Sequence, residues 1–437
     1  MKKIEDTFKR IFWKLPISLN VKKRLKKILA KPENEDRDII SSNVIRRTSE
    51  DESVLYKYQI LSLPTFREKS YCKFVEHSAV SNNKAKLVAY YLPQFHPNDK
   101  NDLWWGRGTT EWTNVSKAVP QYIGHLQPKL PGELGYYDLR LPEIMHRQIE
   151  LAKNYGISVF SFYYYWFDGE RILEKPLDMF IKHKNMNIQF CICWANENWT
   201  KRFSGTNTDV LMRMSEKEDS YKQFIDDVIP YLKDERYFAI DDRLVIVIYR
   251  PSLVPNHMEV FKYWRKTVKE AVGKQLYIIG SQEARIVIDW TKYGFDAISQ
   301  FQPGSISGEA KDITVEMNPV RTDFSGIVYD YEDIVQNGKF GLNSAKIKKY
   351  PAVMPAWDNT ARRNHKGIIY HGSRPELYEK WLKKAINYAK DNGILEEPII
   401  FINAWNEWGE GTYLEPDRTY GYAYLEATWN ALNNEND

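Results

Sequence analysis

A chain of 437 residues, 43% of them hydrophobic and 27% charged, holds enough material for one large domain with an extension or for two to three small ones. Three cysteines, Cys72, Cys191 and Cys193, are too few and too odd in number for a disulfide framework, which predicts a reducing compartment. The net charge of +4 divides into +9 over residues 1–31 and −5 over the remainder, so a basic arm joins a mildly acidic body that offers no footprint for nucleic acid.

In the arm, Phe8, Ile11, Phe12 and Leu15, then Leu19, Val21, Leu25, Ile28 and Leu29 beyond Pro16, alternate with Lys22, Lys23, Arg24, Lys26 and Lys27. This basic amphipathic helical extension suits an anionic membrane surface; a solvated helix, or one packed on the body, is the alternative. The apolar stretch from Ile11 to Ile17 is broken by Lys14 and has no small-residue cleavage site, so no secretory signal is expected. No segment is long and apolar enough to span a bilayer. The expected location is cytoplasmic, peripheral at most at the inner face of the membrane. Residues 32–53 are polar and read as a linker, and residues 54–85 carry no clear signal, so the segment 32–85 separates the arm from a domain over 86–437.

From Lys86 the pattern becomes regular, with strands predicted at 86–92, 157–163, 188–194, 243–249, 276–281, 295–301, 351–357 and 398–405. Helical spacing is clearest from Leu141 to Tyr155, Leu177 to His183, Tyr221 to Leu232, Val260 to Val272 and Leu377 to Tyr388. Strand alternating with helix eight times predicts a (β/α)8 TIM barrel of the α/β class. A doubly wound open sheet fits the alternation as well, but it announces itself by a glycine-rich phosphate turn after its first strand. Here that turn is Tyr90-Tyr-Leu-Pro-Gln-Phe-His-Pro97, without glycine.

In a barrel the C-terminal strand ends share one pocket, so the residues there are the candidate site. The first strand and its long loop supply Tyr91, His96, Trp105, Glu111 and Trp112, and the second supplies Tyr165 and Trp166. The third contributes Trp194, Asn196, Glu197 and Trp199, and the fourth Arg250. The fifth ends at Gln282 and Glu283, the sixth at Gln302, and the seventh at Trp357 and Asp358. Aromatic rings, amides and acids suit a polyol better than a phosphate or a metal. Each has a plainer use: Arg250 pairing with a barrel carboxylate, His96 holding the first loop, Glu197 bonding a neighbouring loop. Neither H-E-x-x-H, G-x-S-x-G nor a Walker sequence occurs, and Asp36-Arg-Asp38 falls in the charged linker, so no catalytic metal or cofactor is expected.

The eighth strand is the most informative. Pro398-Ile-Ile-Phe-Ile-Asn-Ala-Trp405 is too short for a helix, and alternation puts Ile400, Ile402 and Ala404 on one face, Asn403, Trp405 and Glu407 on the other. Asn406 precedes Glu407, and Gly409 and Gly411 bracket Glu410, so two carboxylates stand where the strand gives way to a loop. They could merely meet solvent or cap a helix. Trp405, Trp408 and Tyr413 around them argue instead for a sugar site, where one acid protonates the leaving oxygen and the other serves as base or nucleophile.

Five stretches, Tyr90 to Pro97, Glu111-Trp-Thr-Asn-Val115, Phe160-Ser-Phe-Tyr-Tyr-Tyr-Trp166, Cys193-Trp-Ala-Asn-Glu-Asn-Trp199 and Asn403-Ala-Trp-Asn-Glu-Trp-Gly-Glu-Gly411, resemble the bacterial WbsX-type proteins, whose domain is related to glycoside hydrolase family 99. The resemblance covers about residues 86 to 430. It implies a (β/α)8 barrel acting in lipopolysaccharide O-antigen or other surface polysaccharide assembly, on an oligosaccharide or lipid-linked glycan. It further implies a retaining two-glutamate mechanism, used by a glycosyltransferase, a transglycosylase or an endo-glycosidase. Carried over by motif, Glu407 is the base on the sugar 2-hydroxyl and Glu410 the acid and base at the glycosidic oxygen. Gly409 stands where the hydrolases bear a larger residue, and the first-strand loop also differs. The competing class is a non-catalytic glycan-binding or assembly protein on the same barrel.

Overall fold

The computed structural model describes residues 67–77, 84–200, 209–282, 288–320, 322–338, 348–392 and 398–433. The basic arm, the linker to residue 66 and Glu283 lie outside the described residues.

Short runs of Val, Ile, Phe and Tyr, apolar on both faces, form strands that must be covered on both sides. They do so here as β1 (Lys86–Tyr91), β2 (Ile157–Phe167), β3 (Gln189–Trp194), β4 (Arg243–Ile248), β5 (Gln275–Ser281), β6 (Ala297–Ser299) and β8 (Ile399–Ile402). The seventh strand is split at Pro351 into Lys349–Tyr350 and Ala352–Val353, together β7. Its first half pairs with β6 (Ser299 opposite Tyr350) and its second with β8 (Val353 opposite Ile402). Since β8 also pairs with β1 (Ile402 opposite Ala89) and β1 with β2, the parallel sheet closes into a barrel through β7. The expected fold class is therefore the observed one.

The barrel is filled with side chains. Tyr90 stacks on Tyr163 at 5.6 Å and 10° and meets Phe301 and Phe401 at 5.1 and 5.6 Å, a packed aromatic core of the kind a closed eight-stranded sheet demands. Cys191 and Cys193 are buried free thiols within it.

Helices fill the outer layer. Chain order gives α1 (Asp99–Trp105), α2 (Glu111–Lys117), α3 (Pro142–Asn154), α4 (Lys175–Lys182), α5 (Glu218–Leu232) and α6 (His257–Val272), then α7 (Tyr331–Asn337), α8 (Thr360–Arg363), α9 (Pro375–Asp391) and α10 (Ala423–Asn433). Proline at the first turn opens α3, α4 and α9, and Gly273, left-handed at φ 80°, ends α6 by donating its N–H to Lys269 O. Among the described residues no helix is long and apolar enough to cross a membrane.

Several boundaries move. β2 runs on to Phe167 because it also folds back on Glu170–Ile172. The end of the predicted seventh strand, Trp357–Asp358, leaves the barrel to pair antiparallel with Ile369 and Tyr370 in a separate three-stranded sheet. β8 stops at Ile402, where the chain turns toward the site. Residues 67–77, part of the segment without a clear signal, lie against the barrel. Cys72 exchanges backbone hydrogen bonds with Tyr420 and Tyr422, and His77 stacks on Trp429 at 4.1 Å.

Candidate active site

Beyond β8 the chain forms a tight hairpin in which Asn406–Glu407 pairs with Thr412–Tyr413 around a turn at Trp408–Glu410. Two clamps hold it. The Asn406 side chain accepts from Leu92 N at 2.7 Å and donates to Leu92 O at 3.0 Å, tying the end of β8 to the end of β1. Gly411, left-handed at φ 61°, closes the turn where a Cβ would come within 2.8 Å of Asp358 O.

Glu407 and Glu410 then meet on one guanidinium. Arg362, on α8, donates from Nη2 to Glu407 Oε2 at 2.9 Å and ion-pairs through Nη1 with Glu410 Oε1 at 2.8 Å. Its Nε donates to Glu111 Oε1 at 2.8 Å, so three carboxylates, two from the last hairpin and one from the first-strand loop, surround a single cation. The centre of this acidic cluster is thus filled by protein. Glu111 is wholly buried and Glu407 is 5% exposed, whereas Glu410 is half-buried. Burial, foremost, pushes the Glu407 carboxyl well above the usual range; Arg362 pulls it down, and Glu410 and Glu111 push it up again. The carboxyl that burial raises is thus the one that the motif marks as the base.

Gly409 has a spatial reason. A Cβ built there would lie 1.7 Å from Glu111 Oε1 and 2.9 Å from Arg362 Nε. The absent side chain at 409 and the acid on the first-strand loop therefore occupy the same space.

Of the other expected site residues, some join the acids and others do not. Tyr165, at the end of β2, is an electrostatic neighbour of Glu407 and accepts from Gln94 Nε2 at 3.1 Å. Its ring stands edge-on to Trp199 at 4.9 Å; Trp199 faces Trp104 at 6.5 Å, and Trp104 abuts Trp105 at 5.4 Å. These partly exposed rings extend from the acids as an aromatic rim. Glu197 and Arg250, at the ends of β3 and β4, form an ion pair at 3.0 Å.

The rest serve beneath or behind the site. Trp112 packs on Trp408 at 5.5 Å and donates to Tyr137 O, and Trp405, fully buried, lies on Phe160 at 5.2 Å, so neither lines the mouth. Trp166 and Trp194 face outward against Phe224, and Tyr91 donates to Gln148 Oε1 on α3. Asn196 spends its amide on the Arg250 backbone. Asp358 is buried under donors: His125 Nε2 lies 2.7 Å and Gln127 Nε2 2.6 Å from Oδ2, and the Thr360 hydroxyl 2.6 Å from Oδ1. Although burial pushes it up, His125 and Thr360 with Lys129 hold its carboxyl below the ordinary range. Trp357 is buried beside it, and buried His96 rests its Nδ1 on Pro97 O.

Sequence reasoning missed Arg362 and Glu415. Glu415 is fully buried and accepts from Tyr137 OH at 2.9 Å, Gln148 Nε2 at 2.6 Å and Trp408 Nε1 at 2.6 Å. Burial pushes it up to about 7 against the pull of these donors. Its position between Leu414 and Pro416, an acid in an apolar run, was the available signal.

A closed parallel barrel with paired acids after its last strand and a rim of aromatic rings has the architecture of glycoside hydrolase-like proteins. One solved structure of that description matches at TM-score 0.53 and 16% identity, covering 85% of this chain and 99% of its own. A family 99 endo-alpha-mannosidase from Bacteroides thetaiotaomicron aligns over 79% of this chain and 96% of its own, at 15% identity and TM-score 0.49. The chain belongs to the family described as glycosyltransferase WbsX, matched over residues 87–428. Two relatives, each an uncharacterized protein WxcX from a strain of Xanthomonas campestris pv. campestris, are 40% identical over 354 residues, 80% of this chain. The chain spans about half the length of these curated relatives.

Proposed function

We propose that this protein makes or breaks glycosidic bonds with retention, Glu407 acting as base and Glu410 as acid and base, in assembly of a bacterial surface polysaccharide. The observation that carries it is the convergence of Glu407 and Glu410 on one guanidinium at the C-terminal end of the barrel, beside the rings of Tyr165 and Trp199. In the first step Glu407 takes the proton of the sugar 2-hydroxyl, O2 closes on C1 to give a 1,2-anhydro sugar, and Glu410 protonates the departing glycosidic oxygen. In the second, Glu410 takes the proton of an incoming hydroxyl, which opens the anhydro ring at C1, and Glu407 returns its proton to O2. A base whose pKa is raised by burial takes a hydroxyl proton more readily once ionised, and the adjacent guanidinium supports that ionised form. Water or a sugar hydroxyl can fill the second role, so hydrolysis and transfer share the same residues.

The basic arm, residues 1–31, is proposed to hold the enzyme at an anionic membrane surface, where a lipid-linked glycan would be presented. The test is turnover of purified protein on free and lipid-linked oligosaccharides. A product with retained anomeric configuration is expected; tight binding with no product from any donor would leave a glycan-binding protein instead.

A further inference from the structure

A guanidinium held only at its two Nη groups can still tilt about the line joining them, so a third contact, at Nε, fixes its plane. Glu111 supplies that contact from a fully buried position on the first-strand loop. The same carboxyl lies against Gly409, which stands between Glu407 and Glu410 and directly precedes the latter, with its Oε1 in the space a Cβ would take. Glu111 therefore touches both the cation that orients the two acids and the backbone that carries them. We propose that Arg362 and Glu111 are a pair of positioning residues: the guanidinium holds Glu407 and Glu410 toward one reacting centre, and Glu111 fixes its plane and takes a share of its charge. This rests on the assignment of Glu407 and Glu410 as the acting acids.

Three carboxylates on one guanidinium leave negative charge uncompensated if all ionise, so one of them must hold its proton most tightly. Glu407 is deeply buried against this cation, and that burial raises its carboxyl. The charged groups facing it are Arg362 from α8, Glu111 from α2 and Glu410 from its own hairpin, with the phenols of Tyr163 and Tyr165 on β2 the titratable neighbours on the remaining side. Replacing Glu111 by its uncharged isostere removes a like charge and frees the cation for Glu407. Removing Arg362 does the opposite. A role confined to packing predicts neither change, because Gln fills the volume of Glu and still accepts from Nε.

The experiment is carboxyl 13C NMR of the full chain labelled at glutamate, with the Glu407 signal assigned by its loss in Glu407→Gln. In Glu111→Gln the Glu407 titration should fall by about one pH unit, and in Arg362→Met it should rise by at least as much. Arg362→Lys keeps the charge but loses the fork; it should titrate near wild type while turnover drops by roughly tenfold or more. An unmoved Glu407 in Glu111→Gln overturns the proposal, even if Arg362→Met fails to fold, and so do shifts of the same sign in both variants. The titration needs no substrate, so a protein without glycosidic turnover would defeat the functional assignment while leaving the titration result to stand on its own.

Discussion

Replacing Gly409 by alanine tests the packing of the site through a single methyl group. Its Cβ would sit 1.7 Å from Glu111 Oε1 and 2.7 Å from Glu111 Cδ, about half the distance of an ordinary contact. Glu111 has no solvent to retreat to, so relief requires either a shift of the hairpin or loss of the 2.8 Å bond to Arg362 Nε. Breaking a buried ion pair by stranding one partner costs about 3–5 kcal/mol, and overpacking alone about 1–3. Arg362 keeps Glu407 and Glu410, which places the expected loss near 3 kcal/mol. In a chain of 437 residues that corresponds to a fall in thermal midpoint of roughly 3–4 °C. Calorimetric melts of wild type, Gly409→Ala, Glu111→Ala and the double variant read it out. The double variant should melt no lower than Glu111→Ala, because the new methyl enters vacated space, a coupling of about 3 kcal/mol. A Gly409→Ala protein that melts within about 1 °C of wild type, or two losses that simply add, would refute the reasoning.

Glu415 makes a pH prediction whose sign follows from its raised pKa. The folded protein holds this proton more tightly than the unfolded chain, so the stabilisation is complete below about 4.5 and is lost as pH rises through about 7, a total of about 3 kcal/mol. Urea unfolding of wild type and Glu415→Gln from pH 4 to 8 should show wild type losing that much relative to the variant, and a constant difference would contradict it. For the arm, the full chain should float with anionic liposomes and a variant beginning at Ser53 should not; equal flotation would remove the membrane role.

The barrel was legible because runs such as Leu244 to Ile248 and Ile399 to Ile402 are apolar on both faces, which only a covered parallel sheet accommodates. The seventh strand was not, since its break at Pro351 and its two partners depend on ring closure, which no local pattern states. The strand-end rule found Glu407, Glu410, Glu111 and Tyr165 but could not say which face each residue takes. Trp166 and Trp194 therefore entered the candidate list although they point into the helix layer with Phe224. Asn196 and Asn406 look like sugar ligands in sequence and act as backbone clamps in space. Arg362 escaped notice because its meaning arises only where α2, α8 and the last hairpin meet. Residues 67–77 were silent because backbone hydrogen bonds to Tyr420 and Tyr422 hold much of their contact with the barrel, and these leave no periodicity.

The most direct test of the central claim separates the two glutamates chemically. Glu407→Gln and Glu410→Gln should each fold and each lose turnover by on the order of 10² or more. A substrate whose leaving group needs little protonation should then restore the first step in Glu410→Gln and leave Glu407→Gln inactive. Full turnover in both variants, or equal restoration of both, would contradict the assignment of base and acid.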